Sequence, residues 1–229
     1  MEVHLKKFLR HSSNYAVGEL LVFSASFVSF PILTRALTQN DYGVMSIFSV
    51  TLWIFLAFSR AGLAESTVRF YREYHQPDDP AAQSTYYSTF FWGTVVFALF
   101  TALLVVLFGK PIFVLLFHQE LPGFHYLLAG LIVTGTIYAR LLNFYRASQK
   151  TISYNIAMVA SRFTILAVSL SAVLLIAGTL KVYYTSILAA ETVIMVLLVV
   201  IFLLQNPVSI AAFSGSFFKT CLRFGFPLI

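Results

Sequence analysis

Residues Phe58–Tyr74 read FSRAGLAESTVRFYREY. An apolar run ends here and a basic, helix-compatible segment begins. Arg60, Arg69 and Arg72 lie within it. Basic residues beside a long apolar run mark the side of a membrane on which a loop is retained. If the chain spans a membrane, this stretch therefore sets the side of every other loop.

The composition supports that condition. Of 229 residues, 59% are hydrophobic and 10% are charged, with a mean hydropathy of +0.84. A soluble domain carries about 25% charged residues. This chain has too little polar surface to stay in water. Six apolar runs follow one another, at about Tyr15–Leu33, Tyr42–Ala64, Tyr86–Phe108, Leu121–Asn143, Asn155–Ala177 and Val182–Leu204. Each is long enough to cross about 30 Å of hydrocarbon as a helix. Barrel strands would be half as long and would alternate. The fold class is thus all-α, a polytopic bundle of six transmembrane helices.

The chain divides into residues 1–13, 14–204 and 205–229. The first segment carries Lys6, Lys7 and Arg10 among apolar residues. It reads as an amphipathic helix on the headgroups or as a frayed basic tail, not as a cleaved signal peptide. The second is the six-helix lobe. Gly109, Lys110 and Pro111 are expected to end its third span, leaving Ile112–Phe117 at the interface. The third span holds no charge and is expected to face lipid. The last segment is a linker whose end, KTCLRFGFPLI, resembles the start of a seventh helix.

Of the 15 lysines and arginines, this topology puts Arg35, Lys110 and Lys181 on one side and the other twelve on the opposite one. The positive-inside rule then places the N-terminus in the cytoplasm. The same clustering explains the net charge of +6 without nucleic acid. A single cysteine, Cys221, excludes an internal disulfide, and the five histidines are scattered without metal-ligand spacing.

Ionisable groups inside a membrane are costly, and each is a functional candidate. Arg60 and Arg140 lie near the inner ends of spans two and four, where a guanidinium can also snorkel to the headgroups. Arg162 lies deeper, about 10 Å inside span five, and is expected to line a polar cavity. Glu19 sits at similar depth and offers it a partner. Glu191, in span six, is either a protonated, silent carboxyl or an ion-coupling site. Glu65, Arg69 and Glu73 are spaced by four, which suits a ladder of ion pairs on one helix face. If Arg60, Arg140 and Arg162 face one cavity, that cavity is cationic and suits phosphate, whose oxygens match the planar guanidinium fork.

The order of short motifs resembles the polysaccharide-biosynthesis (O-antigen-type) flippases of the multidrug/oligosaccharidyl-lipid/polysaccharide exporter superfamily. The carrying residues are Phe30–Leu37 (FPILTRAL), Asp41-Tyr42-Gly43, Gly62-Leu63, Arg69-Phe70-Tyr71 and Phe224–Leu228. The resemblance implies a lobe of six helices, the first of two, and so a chain that is the N-terminal portion of a longer protein. It implies a transporter rather than an enzyme, flipping a polyprenyl-pyrophosphate-linked oligosaccharide from the inner to the outer leaflet. Arg60, Arg140 and Arg162, with Arg35 of the first motif, would bind substrate. Glu19 and Glu191 would couple H+ or Na+, and no other cofactor or metal is implied. The implied setting is a bacterial or archaeal cell membrane, with a polysaccharide polymerase and glycosyltransferases as partners. A cation-coupled drug antiporter of the same superfamily, or a membrane glycan polymerase or ligase, remains open on the residues alone.

Overall fold

A computed structural model describes residues 18–24, 27, 29–74, 79–117, 121–225 and 227. The expected interfacial helix over residues 1–13 lies outside them. The described residues are helical and form no strand. The helices are α1 (Gly18–Ala36), α2 (Gln39–Arg60), α3 (Leu63–Tyr74), α4 (Pro80–Phe117), α5 (Phe124–Ala147), α6 (Thr151–Leu175), α7 (Leu180–Gln205) and α8 (Gly215–Gly225). Counting α2 and α3 as one broken span, six are long and apolar enough to cross a membrane.

The start of α2 is written into the Asp-Tyr-Gly motif. Thr38 Oγ1 accepts from the Asp41 backbone N–H at 3.2 Å, and the Asp41 carboxylate accepts from the Thr38 N–H at 3.0 Å. This reciprocal capping box satisfies two donors that a helix start leaves open. The end of α2 is a left-handed pair, Ala61 (φ 47°) and Gly62 (φ 64°). That pair breaks the span, and α3 continues from Leu63 instead of the span running through Ala64. On α3, Arg69 pairs with Glu73 at 3.0 Å. Both are exposed, so the pair contributes only about 0.3–0.5 kcal/mol.

Two expectations about the third span are corrected. Its helix does not stop at Phe108. It runs unbroken through Pro111 to Phe117, so Ile112–Phe117 is helix too. A spanning helix tolerates proline because neighbouring helices and local adjustments satisfy the freed carbonyl. Nor does α4 face outward throughout: Val96, Leu99, Phe100, Leu103 and Leu107 are exposed, but one face and the first part of the span are buried. Tyr86–Phe91, Gly93, Thr94, Ala98, Ala102 and Val105 are all buried. The buried face is largely aromatic over Tyr86–Phe91 and small beyond it. Small residues on this face let neighbouring helices approach closely. At Gly109 a side chain would come within 2.7 Å of His125 on α5. The more exposed helix is α7, where Leu180, Tyr184, Ala190 and Phe202 are the buried residues.

Helix α5 is the axis, packed by α2, α3, α4, α6 and α7. Two aromatic cores lie along it. One gathers Phe48, Phe113, Phe124 and Tyr184, and the other Tyr86, Phe90, Phe144, Phe202 and Phe217. The second core extends into α8. The end of the chain that suggested a seventh span is therefore, up to Gly225, a short amphipathic helix. Lys219 and Arg223 are exposed, while Phe217, Cys221 and Gly225 are buried.

Helix α8 is held on α3 by backbone contact. A side chain at Gly62 would overlap the Gly225 carbonyl, and one at Gly225 would overlap the Gly62 carbonyl. Beside them Ser66 Oγ donates to the Cys221 carbonyl at 2.7 Å. Cys221 is fully buried, and burial pushes its thiol up to about 12, so it reacts poorly near neutral pH. It is a built-in reporter of this joint. Gly62→Ala adds a left-handed penalty of about 1 kcal/mol to the overlap and should release α8. The expected result is rapid maleimide labelling of Cys221 in Gly62→Ala against slow labelling in the wild type. Equal rates would show that the joint is looser than its geometry.

Candidate functional site

The arginines do not share one setting. Arg140, on the α5 face that meets α3 and α4, is 3% exposed. Its Nε donates to Thr94 Oγ1 at 2.7 Å and its Nη1 to the Leu63 carbonyl at 2.8 Å. Nη1 also donates to Thr67 Oγ1. The guanidinium carbon lies 5.6 Å from the centre of the Phe90 ring. A charge this deep needs hydrogen-bond partners, and here protein groups accept three bonds from it. Arg140 thus ties α3 and α4 to α5 just beyond the Ala61–Gly62 break.

Arg60 ends α2 beside that break and is half-buried, within electrostatic reach of Arg140. Its Nε is buried and has no hydrogen-bond partner among the described residues. A hydrogen bond between Thr136 and Ser59, at 2.9 Å, fixes the end of α2 against α5. The structure therefore brings Arg60 and Arg140 together, one with an open donor and one with three hydrogen bonds to the protein.

Arg162 stands apart on α6, on an exposed face. Because α6 starts at Thr151, eleven residues earlier, Arg162 lies about 16 Å along the helix. Glu191 is likewise eleven residues into α7, so the two meet at mid-height of the α6–α7 hairpin. The structure puts Glu191, Tyr138 and Tyr183 within electrostatic reach of Arg162. Thr134 Oγ1 donates to the Glu191 carboxylate at 2.9 Å. Thus the carboxylate beside Arg162 is Glu191 rather than Glu19. Glu19 is exposed near the start of α1, next to Gly18, where α1 comes close to Asn155 of α6.

Arg35 is exposed at the opposite end of α1 and lines a shallow cleft with Pro31, Ile32 and Leu174. Among the described residues no three His, Cys, Asp or Glu side chains gather to hold a metal ion. Sequence reasoning missed Thr134, Tyr138 and Tyr183. The first two are a turn apart on α5, which a face-by-face reading of that helix would have grouped.

This is a polar seam at mid-height of the α6–α7 hairpin, with one cation, one carboxyl group and several hydroxyls. It can bind and orient a charged group. No match was found among curated proteins or among solved structures. The sequence does match the profile described as polysaccharide biosynthesis protein, over residues 8–229, the region that holds all of the motifs quoted above. The chain belongs to the polysaccharide biosynthesis protein family.

Proposed function

We propose that this protein is a membrane transporter, not an enzyme, that flips a polyprenyl-pyrophosphate-linked oligosaccharide from the inner to the outer leaflet for surface polysaccharide assembly. Transport proceeds by alternating access, in which a site near mid-membrane opens to one side and then the other. The observation that carries the proposal is Arg162, a cation at mid-height on an exposed helix face, with Glu191 and tyrosines beside it. Acyl chains do not solvate such a face, so it lines a polar cavity.

In this reading the pyrophosphate meets Arg60 at the inner end and then Arg162, while the lipid tail stays in the bilayer. Arg35 receives it at the outer end. Arg140 acts indirectly, by fixing the α2–α3 break that presents Arg60. Glu191, hydrogen-bonded to Thr134 and next to Arg162, is the group whose H+ or Na+ occupancy would release the arginine for substrate. Glu19 is the second coupling candidate. The setting is a bacterial or archaeal cell membrane with the N-terminus in the cytoplasm, and a polymerase and glycosyltransferases act beside it.

The test is complementation. In cells that make the lipid-linked glycan but cannot export it, expression of the full-length protein should restore surface polysaccharide and leave resistance to cationic dyes unchanged. Raised dye resistance without surface glycan would favour a drug antiporter. Topology is tested separately, on a Cys221→Ser background. A cysteine replacing Lys150 should be labelled only from the cytoplasm and one replacing Pro122 only from outside. The reverse pattern would overturn the orientation.

A further inference from the structure

A polar cavity lies at the basic end of the bundle, and Arg162 is not among its described lining residues. Its volume is about 240 Å³, and it sits where α3, the start of α4, the end of α5 and the end of α7 converge. Tyr71, Tyr87, Gln83 and Gln205 line it, and the Tyr71 and Tyr87 hydroxyls are hydrogen-bonded to each other. Among the described residues that line it, Lys150, at its rim, is the one charged residue and none is acidic.

Three features define the ligand. The first is charge. Lys150 is the N-cap residue of α6, so its ammonium stands at a helix N-terminus, where the backbone also favours an anion. The second is hydrogen bonding. Phenol and amide groups fit hydroxyls better than they fit an apolar group. The third is the wall. Leu198 and Phe202 of α7 border the cavity, and on the same helix Leu197, Ile201 and Leu204 are exposed apolar residues. A chain of methylenes can lie along that surface while its head enters the cavity.

From these features we infer that the cavity is a binding site for the headgroup of an anionic phospholipid, with the phosphate on Lys150 and a polyol such as glycerol among the tyrosine and glutamine side chains. The ligand is a resident membrane lipid, separate from the glycan carrier. The inference does not depend on the transport reading.

Native mass spectrometry of the purified protein tests it. Phosphatidylglycerol should be retained roughly tenfold more tightly than phosphatidylcholine, the step expected from one charge-assisted contact. Lys150→Gln should abolish that preference and Lys150→Arg should keep it. Gln205→Leu should weaken phosphatidylglycerol binding by loss of a headgroup contact. Lys150 and Gln205 are both exposed, so these variants should fold, and an unreactive Cys221 verifies it. Soluble glycerol 3-phosphate should compete poorly, because it lacks the acyl chains. A preference that survives both Lys150→Gln and Gln205→Leu would overturn the site. Equal competition by glycerol 3-phosphate would mean a soluble phosphate ligand. Stronger competition by a polyprenyl phosphate would mean a carrier site. Either would overturn the assignment to a resident lipid.

Discussion

Arg140→Ala should leave little folded protein in the membrane. The change empties a buried site and removes three charge-assisted hydrogen bonds, to Thr94, the Leu63 carbonyl and Thr67. Such bonds are worth about 1.5–3 kcal/mol each and are not additive, so a net loss of about 3–4 kcal/mol is expected once the cavity is included. Arg140→Lys should not rescue. An ammonium is a point donor and cannot reach Thr94 on α4 and Leu63 on α3 together. It would leave a buried charge with fewer partners. Arg140→Met should be milder than either, because it fills the space and carries no charge to desolvate. Membrane abundance, melting temperature in detergent and Cys221 labelling would all report this order. If instead Arg140→Ala were as abundant and as stable as wild type but failed to export, Arg140 would be a substrate contact and its clamp role would be wrong.

Arg162→Ala should do the opposite, keeping the protein and losing the transport. Arg162 is exposed on α6, so its removal leaves no buried void. A two-pronged arginine–phosphate contact is worth about 1.5–3 kcal/mol, which corresponds to a fall in export of roughly 10- to 100-fold. Arg162→Lys should recover part of it, keeping the charge but losing the fork. The competing account is that Arg162 exists to balance Glu191. Then both single changes, Arg162→Ala and Glu191→Gln, should lower abundance, and the double change should be milder than either alone. On the transport account abundance stays normal throughout, and Glu191→Gln slows export through coupling. Surface glycan measured beside membrane abundance separates the two.

The sequence made some of this legible and hid the rest for physical reasons. Six crossings were readable because a lipid-spanning helix needs about 20 apolar residues in a row, and the runs are separated by polar turns. The break after Arg60 was foreshadowed by Ala61 and Gly62, since glycine adopts positive φ without strain. The continuation of α4 through Pro111 was not readable. A proline that ends a helix in water can be absorbed within a membrane bundle, and the residues that absorb it lie on other helices. The buried face of α4 was missed because absence of charge was equated with contact to lipid.

The same limit governs the arginines. Arg140 and Arg162 are equivalent as letters in an apolar run. What separates them is that Thr94 and Thr67 lie 46 and 73 positions from Arg140 along the chain. Such contacts exist only after packing. The partner of Arg162 was within reach, because α6 and α7 form a hairpin and residues 162 and 191 are nearly equidistant from its turn. Glu19 matched in depth, but the hairpin brings Glu191 closer.

Translocation in vesicles tests the central claim most directly. The full-length protein is purified and reconstituted with a fluorescent polyprenyl-pyrophosphate-linked oligosaccharide, and a glycosidase is added outside. In empty vesicles only the outer-leaflet glycan is cut. With wild-type protein the inner pool should become accessible as well, so that cleavage approaches completion. With Arg162→Ala the inner pool should become accessible roughly 10- to 100-fold more slowly, although an unreactive Cys221 shows that the protein is folded. Wild-type vesicles that behave like empty ones under the same folding check, or Arg162→Ala vesicles that behave like wild type, would contradict the account.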